Sequence, residues 1–173
     1  PEGWPDYVLH QMVMVTRGGE EVKLSKRAGS YVTLSDLIEE VGRDATRFFL
    51  AARRVDSQLT FDIDLARSQT NENPLYYIQY AHARICSVLR KLAVEGVQRG
   101  RHECVGDRTL LTLDEAKELT NQVAKYPELV ASAAAQREPH TLSQYLREVA
   151  GLFHSYYNAH KVLIEDTALR DAR

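Results

Sequence analysis

Apolar residues recur along this chain in two rhythms, one short and alternating near the start and one helical from about residue 65 onward. Two β-prone runs, Gln11 to Thr16 and Glu20 to Leu24, flank Arg17-Gly18-Gly19. A Gly-Gly pair between such runs predicts a β-hairpin, with residues Lys23 to Gly29 presented at its end. Thr33 and Asp36 form an approximate capping box for a helix whose apolar face is Leu34, Leu37, Ile38 and Val41 and which Gly42 closes. A second helix is expected from about Ala45 to Arg54, with Phe48, Phe49 and Ala52 inward. Leu59 to Ile63 alternates like an extended segment, and Asp64 is the expected cap of the turn after it.

Helical spacing then takes over. Asn73 caps a helix and Pro74 fills its first position, where no N–H is needed. Ile78, Ala81, Ile85, Val88, Leu89 and Leu92 carry the apolar stripe to about Ala93. A Gly- and Arg-bearing loop spans Glu95 to Asp107. Thr112-Leu113-Asp114-Glu115 reads as a capping box for a helix that Pro127 breaks or kinks, and Val130 to Gln136 as its Ala-rich continuation. Pro139 starts a long helix with Leu142, Tyr145, Leu146, Val149, Leu152, Phe153 and Tyr156 on one face, and a last helix begins near Thr167. The predicted fold class is mainly α, a helical bundle preceded by a short hairpin.

Composition changes this picture little. At 44% hydrophobic and 27% charged, the chain belongs with globular proteins and is long enough to bury a core. No apolar run approaches about 18 residues, so no membrane span is expected. Cys86 and Cys104 have neither metal-ligand nor disulfide-framework spacing and fit a reducing cytosol, and no structural metal is expected. A net charge of −2 excludes a strongly basic field over the whole chain, although a local basic face remains compatible with it. The chain begins without Met and stops inside the last predicted helix, which reads as a piece of a longer protein.

Candidate chemistry lies in two places. Lys23-Leu24-Ser25-Lys26-Arg27 puts three cations and a hydroxyl into five residues, the groups that hold ATP phosphates and stabilise charge developing at a phosphate. A solvated basic turn would look the same in isolation. Asn73 to Arg84 is aromatic, amide-rich and basic. Tyr76, Tyr77 and Tyr80 offer faces for stacking, Asn73 and Gln79 offer edges for hydrogen bonding, and Arg84 offers charge. At least one of these tyrosines is expected in the core, and His82 is expected as a partly buried structural histidine. Tyr156, Tyr157, Asn158, His160 and Lys161 form a second polar-aromatic cluster, for which core edge and RNA surface both stand open.

These segments together resemble arginyl-tRNA synthetase. The Lys23 to Arg27 loop is similar to the Lys-Met-Ser-Lys-Ser signature of class I aminoacyl-tRNA synthetases, with Leu24 in place of Met and Arg27 in place of the last Ser. Gly42 to Leu50 and Asp56 to Asp62 resemble the segments that follow that loop, and Ala168-Leu169-Arg170 after Asp166 resembles the element that names the DALR anticodon-binding domain. The resemblance implies that residues 1–65 end a Rossmann-type catalytic domain and that residues 66–173 form the anticodon-binding domain. It implies Lys23 and Lys26 as catalytic residues, with Ser25 and Arg27 also at ATP. It implies Asn73, Tyr76, Tyr77, Gln79, Tyr80, Arg84 and Arg170 at tRNA. Arginine, ATP with its Mg, and arginine tRNA would be the partners, in the cytoplasm, with a monomeric whole enzyme and an inactive fragment. The cut-off last helix is expected to leave an apolar groove beside Leu146, Val149 and Phe153, and with it a tendency of the fragment to self-associate. The His-Ile-Gly-His signature of the same enzymes is absent. A cysteinyl-tRNA synthetase fragment and a non-catalytic helical interaction module are the alternatives.

Overall fold

In a computed structural model of the chain, the described residues are 3, 5, 7–22, 32–96 and 106–173. They form two compact units, Pro1–Tyr76 with Ala133–Gln144, and Tyr77–Ser132 with Tyr145–Arg173. The basic loop, Lys23, Ser25, Lys26 and Arg27 included, lies outside the described residues.

The first unit is built on a small sheet. Strands β1 (Val13–Arg17) and β2 (Glu20–Glu21) form the expected hairpin. Its two-residue turn needs positive φ at both central positions, and Gly18 and Gly19 supply +61° and +78°. The alternating run after residue 58 becomes β3 (Leu59–Asp62), parallel to β1 with Val15 opposite Phe61. A parallel pair cannot be closed by a tight turn, so the chain crosses over through α1 (Leu34–Val41) and α2 (Arg43–Ala51). Those helices, the sheet and α3 (Ile63–Arg67) enclose Val15, Leu37, Ala45, Phe49, Phe61, Ile63 and Ala66. Phe61 is fully buried and packs against Phe49 with ring centroids 5.8 Å apart.

Local polar groups set the element ends. The Thr33–Asp36 capping box forms in both directions, and the Thr33 groups hold the Asp36 carboxyl below its ordinary pKa. Gly42, at φ +86°, ends α1 and opens α2. The expected cap at Asp64 moves back two residues. Asp62 accepts from the Leu65 N–H and caps α3, while Asp64 accepts from the Gly18 N–H at 2.6 Å and so braces the hairpin turn. Arg17 adds an ion pair to Glu40 of α1 at 2.6 Å. Leu34 and Ile38, expected inward, are exposed, because the α1 stripe meets its neighbours mainly through Leu37.

The second unit is helical. It takes most of α4 (Pro74–Val94), a 3-10 turn at Arg108–Leu110, α5 (Asp114–Ala124), the start of α6 (Tyr126–Gln136), most of α7 (His140–Ala159) and α8 (Thr167–Ala172). Pro127 falls in the first turn of α6, so it marks a break and not a kink. The capping box expected at Thr112 does not form. The Asp107-capped 3-10 turn places Leu113 at the N-cap of α5, one residue beyond Thr112, with no side-chain bond there. Asp166 caps α8 through the Leu169 N–H. Gly106 sits against the Asp171 and Ala172 backbone with no space for a Cβ, which brings the approach to the 3-10 turn onto α8. Ile85, Leu89 and Leu146, expected inward, are partly exposed; among the described residues, Ala81, Leu92, Ala116, Tyr145, Ala150 and Tyr156 are the buried apolar residues there. No helix among the described residues is long and apolar enough to cross a membrane.

Candidate nucleic-acid interface

The local reason for α4 is visible at its start. Asn73 is only 3% exposed, and both ends of its side chain are engaged. Oδ1 accepts from the Leu75 and Tyr76 N–H groups, while Nδ2 donates to the carbonyls of Ala66 and Ser68. The residue expected as an RNA edge reader is therefore a helix cap that also ties α4 to the end of α3. Tyr76 is half-buried, and Gln79 is exposed.

Further along α4, Tyr77, Tyr80 and Arg84 share a face at spacings of three and four. On α7, His154, Tyr157 and Asn158 do the same, with Phe153 beside them. These two faces meet within the second unit. The Arg84 guanidinium carbon lies 4.4 Å from the Tyr80 ring centroid and 4.9 Å from that of Tyr157. Its Nη1 donates to Asn158 Oδ1 at 3.0 Å and lies 3.1 Å from His154 Nδ1; its Nη2 donates to the Tyr80 hydroxyl at 3.0 Å.

His154 is 5% exposed and is the centre of this arrangement. Its Nε2 lies 3.1 Å from the Tyr77 carbonyl, which only accepts, so Nε2 carries the hydrogen and Nδ1 is left to accept from Arg84. The imidazole also packs against the rings of Tyr77 at 4.5 Å and Tyr80 at 5.4 Å. The three side chains that hydrogen-bond Arg84 are neutral acceptors. They hold the guanidinium in place without cancelling its charge.

Such a constellation has a definite chemical use. An immobilised cation with aromatic rings around it and amide groups at its rim suits unstacked bases and their phosphates. Gln79 and Lys161 are exposed and remain in the wider set, as does half-buried Arg170, whose Nε lies 3.3 Å from Asp171 Oδ1. The last turns of α4 add a shallow hollow of about 400 Å3 lined by Ser87, Arg90, Lys91, Val94 and Glu95. The second polar-aromatic cluster divides. Tyr157 and Asn158 face Arg84, while Tyr156 is buried, with its hydroxyl pushed above its ordinary pKa by that burial. His82, expected partly buried, is exposed beside Cys86, 3.6 Å from Nε2 to Sγ. His154 carried no sequence signal of its own; its spacing to Tyr157 and Asn158 was the available clue. Among the described residues, no group of three or more His, Cys, Asp or Glu is placed to hold a metal ion.

Comparison with known proteins defines the class. The DALR anticodon binding domain matches residues 78–173, which include every side chain of the Arg84 cluster except Tyr77, and the chain belongs to that family. The relatives it resembles are arginine–tRNA ligases. It is 57% identical over all 173 residues to the arginine–tRNA ligase of Geotalea uraniireducens and 53% identical to that of Polaromonas sp., and spans 31% of the length of each. Among solved structures, an arginyl-tRNA synthetase of Campylobacter jejuni matches 95% of this chain with a TM-score of 0.77 at 29% identity, the match taking in 34% of that chain. The Thermus thermophilus arginyl-tRNA synthetase matches 86% with a TM-score of 0.62 at 28% identity, and 25% of its own chain is covered. The mainly helical fold with its small sheet is the fold of those enzymes over the matched region.

Proposed function

We propose that this chain serves an arginine–tRNA ligase, which activates arginine with ATP and transfers it to arginine tRNA, and that its α4–α7 face binds the anticodon region of that tRNA. The observation that carries this reading is the Arg84 cluster, which lies almost wholly inside the segment matched by the anticodon-binding family. Tyr77, Tyr80, Arg84 and Tyr157 are its centre. Tyr76, Gln79 and Arg170 extend it, and Asn73 serves it as the cap of α4. On this reading residues 66–173 are the anticodon-binding domain and residues 1–65 the end of the catalytic domain. Lys23 and Lys26, with Ser25 and Arg27, would neutralise the phosphates of ATP, brought as its Mg complex, during adenylyl transfer. The work is done in the cytoplasm, where tRNA and ATP are available.

Titration with arginine tRNA and with the same tRNA altered only in its anticodon, at two salt concentrations, tests the reading. Tighter, salt-sensitive binding of the unaltered tRNA is expected. Equal binding of both would reduce the face to a phosphate contact, and no binding at low salt would favour a helical protein-interaction module. The chain alone is expected to give no arginine-dependent ATP–pyrophosphate exchange; measurable exchange would overturn that part.

A further inference from the structure

We infer that His154 and Asn158 are positioning residues that fix Arg84 as a reader of base edges and not as a general phosphate contact. The inference rests on the tRNA-binding reading above and refines it.

A phosphate contact needs charge and tolerates motion, so a side chain loose in solvent serves it well. A base edge asks for donors fixed in direction, because it offers its acceptors in one plane and at one spacing. Arg84 is built for the second task. A guanidinium has five N–H donors, and three are committed here, to His154 Nδ1, Asn158 Oδ1 and the Tyr80 hydroxyl. Two donors remain without a hydrogen-bond partner among the described residues, in the same plane as the three that anchor it. The rotamer freedom of the long side chain is already lost before RNA arrives, which favours a partner with strict geometry.

His154 supplies this order through its tautomer. The Tyr77 carbonyl, 3.1 Å from Nε2, requires a hydrogen on that atom, and the acceptor thereby forced onto Nδ1 is the one that meets Arg84. The carbonyl comes from α4 itself, so the helix that carries Arg84 also sets the tautomer of its anchor. Asn158 provides the second acceptor from one turn further along α7, at an exposed position.

Two substitutions separate the two sides of the imidazole. His154→Gln can place an amide near Nε2 and keep the donor to Tyr77, but loses the acceptor for Arg84. His154→Asn can place an amide oxygen near Nδ1 and keep the acceptor, but loses the donor to Tyr77. The readout is the ratio of Kd for the anticodon-altered tRNA to Kd for arginine tRNA, measured at two salt concentrations with melting temperatures alongside. In the full chain, His154→Gln lowers that ratio about tenfold, the scale of one hydrogen bond to a charged group. The salt slope stays at the parent's value. His154→Asn recovers the ratio to within about threefold of the parent. Asn158→Ala, at an exposed position where folding is not at stake, lowers it about threefold. The inference is overturned if Gln at 154 and Ala at 158 keep the parental ratio, or if Asn and Gln at 154 lose it equally. A parental chain that binds the two tRNAs equally would reduce the face to a phosphate contact and overturn the anticodon reading, and one that binds neither would overturn the tRNA reading itself; both results are separate from those at 154 and 158.

Discussion

Asn73 caps the helix that carries Arg84, both lie in the same polar-aromatic stretch, and the structure uses them in opposite ways. Asn73 has all its hydrogen-bonding capacity spent on backbone groups of its own neighbourhood, from Ala66 to Tyr76. Arg84 is held by side chains, two of them from a helix distant in sequence, and these partners do not cancel its charge. The first arrangement satisfies the backbone and leaves nothing over. The second consumes part of a cation's donors to fix its direction and leaves the rest for a partner. Polar residues at a helix start therefore need their backbone accounts settled before any are assigned to a ligand.

Asn73→Ala removes the cap and strands two carbonyls, and should cost about 2–4 kcal/mol in a denaturant melt. The folded variant should bind arginine tRNA as the parent does; a lost affinity with unchanged stability would reverse the assignment. Tyr80→Ala should show the opposite profile, with about 1–3 kcal/mol lost from tRNA binding through stacking and the Arg84 anchor, and less lost from stability. Tyr80→Phe sharpens this by keeping the ring and removing only the acceptor for Arg84, so a loss of about 0.5–1.5 kcal/mol in binding is expected.

The smallest effect lies at the other capping site. The Asp36 carboxyl is held below its ordinary pKa by the Thr33 N–H first and the Thr33 hydroxyl second. Its contribution to stability is therefore present above the unfolded-state pKa and fades as pH falls through the lower folded value. Thr33→Ala removes the hydroxyl and keeps the N–H. The Asp36 carboxyl signal in an NMR titration should then move part of the way back toward the ordinary value. A full return would mean that the hydroxyl dominates.

Much of the local architecture was legible in the residues, because it is set by near neighbours. Gly18-Gly19 specified the hairpin turn, Thr33 and Asp36 the start of α1, and Asn73-Pro74 the start of α4. Failures came where a competing neighbour decided. Asp62 outranked Asp64 as a cap once β3 ended at Asp62, and the 3-10 turn before α5 displaced the box at Thr112. Apolar stripes overstated burial at Leu34 and Ile38, because spacing defines a face but not how much of it a neighbour covers. Of the candidate interface, Tyr77, Tyr80 and Arg84 were readable as one side of a helix. Their pairing with His154, Tyr157 and Asn158 depends on contacts more than sixty residues apart, as Arg84 to His154 at a separation of 70 illustrates, and no local pattern encodes it.

The affinity of Arg84→Ala for arginine tRNA, taken with its melting temperature, separates an RNA-reading surface from a packing contact. The Arg84 cluster as an RNA-reading surface predicts a Kd raised about tenfold or more with the melt nearly unchanged. An unchanged Kd, with or without a fall in stability, would make the cluster a packing feature of the α4–α7 contact and contradict the account.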